Sequence, residues 1–180
     1  MRTLPHMGFT AGMVHIGGAT VSDLAKVGLV ETGQYESGDD VLRGGRPAVL
    51  QIEDGIVLVD GTGEIAVEDA VIAAAVGRRV TSATLASTGT VYRIAVTDPT
   101  AVVREIVDVE GERQVESGEP LPEENGVGTL FEDETFDLFQ RLTGVSVRDV
   151  IDARLELLQR RPARDEPAPK KKGFFGRLFG

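Results

Sequence analysis

Polar and apolar residues alternate with period two around Glu53-Asp54-Gly55. Leu50 and Ile52 alternate with Gln51 and Glu53 before the turn, and Ile56-Val57-Leu58-Val59 follows it. Alternation with β-branched residues is a strand signature, and Asp-Gly between two such runs is a strong local hairpin signal. Val57 and Val59 make the second strand apolar on both faces, which places it centrally in a sheet covered on both sides. Residues 47–61 are thus the expected hairpin around which the rest of the chain is arranged.

Upstream, Met13, Val14 and Ile16 predict a short strand, and Thr20 with Asp23 has the spacing of a capping box opening a short helix. Val21, Leu24, Ala25, Val27 and Leu29 would be the buried stripe of that helix. Residues 33–45 are polar and glycine-rich and read as a loop. After the central hairpin, Val67, Ala70, Val71, Ala74 and Ala75 suggest a helical core face, closed by Gly77 with Arg78 and Arg79 at the negative helix end. Residues 80–86 and 90–96 make a second hairpin over Ser87-Thr88-Gly89. Asp98-Pro99 marks a turn or a single helical turn. A third hairpin joins residues 102–109 and 113–116 over Glu110-Gly111, followed by a loop at 119–128. Thr129 and Glu132 have capping-box spacing ahead of a helix carrying Phe136, Phe139 and Leu142, which Gly144 can close. Ser146 and Asp149 cap a second helix in which Val147, Val150, Ile151, Leu155 and Leu158 follow the i, i+3, i+4 rule. The expected fold class is α+β: a mostly antiparallel sheet built from hairpins, packed with helices, ending in a two-helix hairpin.

Composition narrows the class. A chain of 180 residues with 41% hydrophobic content can form one domain with a real core, here residues 1–160. Its apolar runs are too short to span a bilayer, and the N-terminal segment lacks a continuous apolar core, which predicts a cytoplasmic protein. Cysteine and tryptophan are both absent, excluding disulfides, thiolate metal sites and cysteine nucleophiles. The net charge of −10 is uneven: from residue 160 onward seven basic residues face only Asp165 and Glu166, leaving a +5 tail on a −15 body. So acidic a body excludes a general nucleic-acid binder, because neutralising phosphates needs clustered Lys and Arg.

Three phrases then suggest a family. The Glu53-Asp54-Gly55 hairpin, the segment TVYRIAVTD followed by Val109-Glu110-Gly111, and Phe139-Gln140-Arg141-Leu142-Thr143-Gly144-Val145 together resemble a small actinobacterial domain family of uncharacterised function. The resemblance covers residues 12–158 and carries no catalytic motif. It implies a fold and no chemistry.

Candidate chemistry is sparse. Gly61-Thr62-Gly63 lies between a strand and a helix, where a dinucleotide fingerprint would sit, but Asp60, Glu64, Glu68 and Asp69 surround it with negative charge. A tight strand-to-helix turn is the better reading, since a lone glycine pattern is weak. His6 and His15 are the only histidines and are spaced nine apart, which suits neither a helix nor a strand metal pair. His15 is expected on a strand face with its hydrogen bond satisfied. Acidic clusters at 31–40, 105–124 and 132–137 could serve divalent cations or glycoside chemistry, yet acids in loops are ordinarily solvated. No catalytic, cofactor-binding or metal-binding residue is assigned.

The C-terminal segment stands apart. Residues 161–172 are a Pro- and Lys-rich linker, and 173–180 are a basic-aromatic peptide. Lys170, Lys171 and Lys172 precede Phe174, Phe175, Arg177, Leu178 and Phe179. On a helix the three phenylalanines and Leu178 would share one side, giving charge plus buried rings, the physics of an interfacial anchor on an anionic bilayer. The same peptide suits a groove on a protein partner, or an apolar surface of its own domain. The functional expectation is a non-enzymatic binding or adaptor domain with an acidic surface and a docking tail, peripheral at the inner membrane face if the tail meets lipid. Two alternatives stand beside it: an immunity-type protein neutralising a basic toxin through the acidic face, and an enzyme using loop carboxylates.

Overall fold

The computed structural model describes residues 10–161. They form one antiparallel nine-stranded sheet with helices on both faces, which makes the fold α+β. In chain order the strands are β1 (Thr10–Gly17), β2 (Leu29–Ser37), β3 (Ala48–Ile52), β4 (Gly55–Asp60), β5 (Val80–Ala86), β6 (Val91–Asp98), β7 (Ala101–Val109), β8 (Glu112–Ser117) and β9 (Arg154–Arg160). The α-helices are α1 (Gly38–Gly44), α2 (Asp69–Val76), α3 (Glu132–Thr143) and α4 (Val147–Asp152), with 3-10 turns at Val21–Val27, Ala66–Glu68 and Pro122–Glu124. Spatial order across the sheet is β2-β9-β3-β4-β1-β5-β6-β7-β8.

The central hairpin is β3–β4, with Ile52 opposite Gly55 across the Glu53-Asp54 turn. β4 lies between β3 and β1 and is buried along its whole length. Alternation along it sends Val57 and Val59 into one core and Ile56 and Leu58 into the other. The first core is closed by α1, α3 and α4, which bring Leu42, Leu138, Phe139 and Val150 onto the sheet. The second is closed by the Val21–Val27 turn and α2, through Leu24, Ile72, Ala73 and Val76. Two-sided cover explains why the middle strands are nearly all apolar while the outer ones are not.

Several local signals act as their residues suggest. Asp23 accepts hydrogen bonds from the Thr20 backbone N–H and hydroxyl, and Ser146 and Asp149 form a reciprocal capping box. Gly77 and Gly144 end α2 and α3 with φ of 73° and 76°, left-handed values that cost a residue with a Cβ. Asp98 and Ala101 pair directly across Pro99-Thr100, so that step is a tight turn between β6 and β7.

Four expectations are corrected. The chain does not end its domain in a two-helix hairpin: α4 stops at Asp152, and Leu155, Leu157 and Leu158 belong to β9, which fills the gap between β2 and β3. Strand pairing on both sides outweighs the helical spacing of those leucines. Residues 33–45 are not a loop but the end of β2 followed by α1; Leu29 likewise opens β2 rather than closing a helix. Strand β2 looks polar because it is an edge strand, interrupted by a register shift between Glu31 and Tyr35. Helix α3 is entered from Phe131, not Thr129, because the Leu130 N–H is held by the Asp108 carboxylate. The face of α2 is the reverse of the one expected. Ile72, Ala73 and Val76 are buried with Asp69, whereas Val67 and Val71 are 59% and 64% exposed.

Candidate functional site

Asp69 explains the orientation of α2. Its carboxylate, 3% exposed, accepts hydrogen bonds from Ser82 Oγ (3.2 Å), Thr97 Oγ1 (3.2 Å) and an Arg93 terminal nitrogen (3.0 Å). Arg93 also donates to Glu105 and to the Ala66 carbonyl. A buried carboxylate has to be paired or hydrogen-bonded, so α2 turns Asp69 toward the sheet and Val67 and Val71 outward with it.

The same register fixes which sheet residues share that side. Directly opposed residues of an antiparallel pair lie on one face. Val107 is opposite Arg93 and Val115 is opposite Val107, while Val102 is opposite Thr97. Arg93 and Thr97 both reach Asp69, so the three valines lie on the α2 side of the sheet. Val102 and Val115 are 45% and 40% exposed. Thus Val67, Val71, Val102 and Val115, four of the six large exposed apolar side chains among the described residues, lie on the α2 side of the sheet (the valine face). Sequence reasoning missed it by counting Val67 and Val71 as core. The usable signal was the alternation of Glu105, Val107 and Val109 along β7 with Val115 on β8, in an outer part of the sheet.

Six carboxylates of the first two acidic clusters are paired with arginine. Glu105 pairs with Arg93, Asp108 with Arg113, Glu116 with Arg104 and Arg113, and Glu124 with Arg104. Glu36 pairs with Arg46 and Asp39 with Arg43. Arg104, only 2% exposed, also donates to the Ser117 and Gly118 carbonyls, which fastens the loop after β8 to β7. Its carboxylate partners hold its guanidinium above the ordinary arginine value. At Glu124 burial pushes the carboxyl up, but the Arg104 hydrogen bonds and the Leu121 N–H hold it below the usual range. Glu124 and Asp108 fasten loops to strands, and Glu105 and Glu116 tie neighbouring strands together.

At residues 60–65 the Asp60 carboxylate accepts from the Thr62 N–H and hydroxyl and from the Ile65 N–H. It occupies the backbone donors that a phosphate would use, so this is a turn built around its own anion. His15 sits on a face of β1 with a buried Nε2 that has no hydrogen-bond partner among the described residues, contrary to the expectation of a satisfied ring. Burial holds its imidazole below the ordinary histidine value, against the upward pull of the Asp54 charge. Between the β3–β4 turn and the α3–α4 corner, an open groove of about 520 Å³ is lined by Leu50, Ile52, Glu53, Asp54, Val145 and Asp149. It mixes apolar floor and acidic rim without a convergent set of catalytic groups.

Among the described residues no group of three or more His, Asp or Glu side chains is arranged to hold a metal ion. No helix among them is long and apolar enough to cross a membrane. The docking residues expected from the sequence, Lys170, Lys171, Lys172, Phe174, Phe175, Arg177, Leu178 and Phe179, lie outside the described residues, as does His6. Comparison with protein-family models, with curated proteins and with solved structures found no match to this chain.

Proposed function

We propose that this protein is a non-enzymatic adaptor: an acidic α+β domain that presents a binding surface and is tethered through residues 170–180 to an anionic membrane surface. One observation carries the reading. Buried polar side chains of the sheet are spent on one another, in the Asp69–Arg93–Glu105 and Glu116–Arg104–Glu124 networks, while four valines, Val67, Val71, Val102 and Val115, are left exposed on the α2 side. An active site would want the opposite distribution, with unpaired polar groups converging in a dry pocket. Kinship with the actinobacterial domain family belongs to the same proposal and adds no chemistry to it.

The tether follows from charge and rings together. Three lysines and an arginine beside three phenylalanines and a leucine combine attraction to anionic headgroups with partial burial of the side chains. Each basic residue near such a surface contributes about 1 kcal/mol. The test is co-sedimentation of the full chain and of a chain ending at Arg161 with neutral and with anionic vesicles. The full chain should pellet with anionic vesicles only and be released by salt, and the shortened chain should stay in the supernatant. If neither pellets, the tether is wrong; if both pellet equally, the domain and not the tail binds lipid.

A further inference from the structure

We infer that the valine face on the α2 side of β6–β8 is a docking surface for the chain's own basic-aromatic segment, Phe174–Phe179, so that the tail is held against the domain until something displaces it. The inference rests on reading that segment as a docking peptide, and it names what the segment docks on in the free protein.

Position comes first. The last described strand delivers the chain to this side of the molecule: the Arg160 guanidinium donates to Glu68 at 2.8 Å, and the Arg161 N–H donates to the Gly28 carbonyl. Glu68 immediately precedes α2 and adjoins Val67. Two residues earlier, the Ala66 carbonyl accepts from Arg93, whose neighbour across the ladder is Val107, with Val115 next in line. Val67 adjoins the exit point, whereas β7 and β8 lie six and seven strand positions from β9, so at about 4.8 Å per strand Val102 and Val115 are about 30–35 Å away. The thirteen residue steps from Arg161 to Phe174 can span up to about 40 Å as a proline-stiffened chain, enough to cover that distance with little to spare.

Chemistry agrees with position. The face offers branched aliphatic side chains exposed among the described residues, and the segment offers three phenyl rings and a leucine. The tail carries +5 and the remaining chain −15, so the long-range field draws the tail inward rather than outward. Covalent attachment then supplies an effective concentration in the millimolar range, enough for a contact too weak to survive between separate molecules.

The chain contains no tryptophan, so Phe175→Trp places a single reporter in the segment. In the full-length protein without lipid, its emission should be blue-shifted and shielded from iodide, and unchanged on dilution. Adding Val102→Asp and Val115→Asp should move the emission to the solvent-exposed position, with circular dichroism unaltered because both side chains already meet water. The milder pair Val102→Thr and Val115→Thr should give an intermediate shift, and it decides the matter if the aspartate pair fails to fold. On anionic vesicles, freeing a tail docked about 90% of the time should raise apparent affinity about tenfold. Emission that is solvent-exposed from the start overturns the inference, as does shielding that survives the valine substitutions. Shielding that vanishes on dilution overturns it too, since the tail would then be docking on a second copy. A shielded tryptophan in a protein that ignores vesicles would sink the membrane tether alone and leave the docking intact.

Discussion

Arg104 and Glu124 form a two-pronged ion pair across a loop boundary. The Arg104 Nε meets Glu124 Oε1 at 2.8 Å, and a terminal nitrogen meets Oε2 at 2.7 Å. Both side chains are largely buried, with exposures of 2% and 12%. Removing one member of a buried pair leaves the other charge uncompensated, which costs about 3–5 kcal/mol, while replacing both members by apolar side chains costs far less. Glu124→Ala should therefore destabilise the domain by about 3 kcal/mol, towards the low end of that range because Glu116 remains as a partner. Arg104→Met should cost at least as much, because it leaves the Glu124 carboxylate without its cation and the Ser117 and Gly118 carbonyls without their donor, and the double substitution should cost less than the two single costs summed. Urea denaturation of the three variants checks the order. Additive costs in the double variant would mean that the pair acts only as a surface contact.

The same pair sets an acid limit. Glu124 and Glu116 are both held below their ordinary value of 4.5 in the folded protein. A depressed folded value means that the unfolded chain takes up protons first, so this stabilisation is complete above pH 4.5 and is lost as pH falls through the lower folded values. Stability should drop steeply below pH 4.5, and Glu124→Gln should flatten that slope. Denaturation midpoints on either side of pH 4.5 measure it.

His15 acts in a higher window. Burial holds its folded value below 6.5, so between the two values the unfolded chain binds a proton that the folded chain refuses. Stability is full above pH 6.5 and falls as pH is lowered through that value. His15→Leu removes the buried Nε2 that lacks a partner and should remove this slope, with the variant at least as stable as the parent near pH 6. Paired denaturation curves at pH 5.5 and 7.5 decide it: an unchanged slope in the variant assigns the effect elsewhere.

How much of this could be seen in the residues depends on what each signal encodes. The three hairpins were legible because Asp54-Gly55, Gly89 and Glu110-Gly111 interrupt strongly alternating runs, and turn chemistry is local. Strand β9 was not, because Leu155, Leu157 and Leu158 satisfy a helical spacing as well as a strand one; only the open slot between β2 and β3 decides between them. Helix α2 was found but turned the wrong way. Its alanines and valines make both faces apolar, and the deciding residue is a carboxylate whose partners, Ser82, Thr97 and Arg93, come from strands later in the chain. The valine face was hidden for the same reason, since it exists only once α2 has chosen its buried side.

Gly38 yields a prediction in which two effects oppose each other. It opens α1, and exchanging a helical glycine for alanine ordinarily stabilises by about 1 kcal/mol. Here, however, a Cβ on Gly38 would lie 1.8 Å from the Val150 carbonyl oxygen and 2.9 Å from the Ile151 Cα, both backbone atoms of α4. The Gly38 N–H also donates to the Ala153 carbonyl at 3.0 Å, so separating the helices breaks a hydrogen bond. Overpacking costs about 1–3 kcal/mol and the lost hydrogen bond about 1 kcal/mol more, which together outweigh the propensity gain. Gly38→Ala should thus destabilise by about 2 kcal/mol. Gly28→Ala is the control: its φ is +73° but nothing lies within 4 Å of an added Cβ, so only the left-handed backbone is penalised, by about 1 kcal/mol. Denaturation of the two variants side by side should find Gly38→Ala the weaker protein. The reverse order would mean that α1 and α4 can part without cost, and that the corner holding Val150 against Leu42 is softer than its close backbone approach implies.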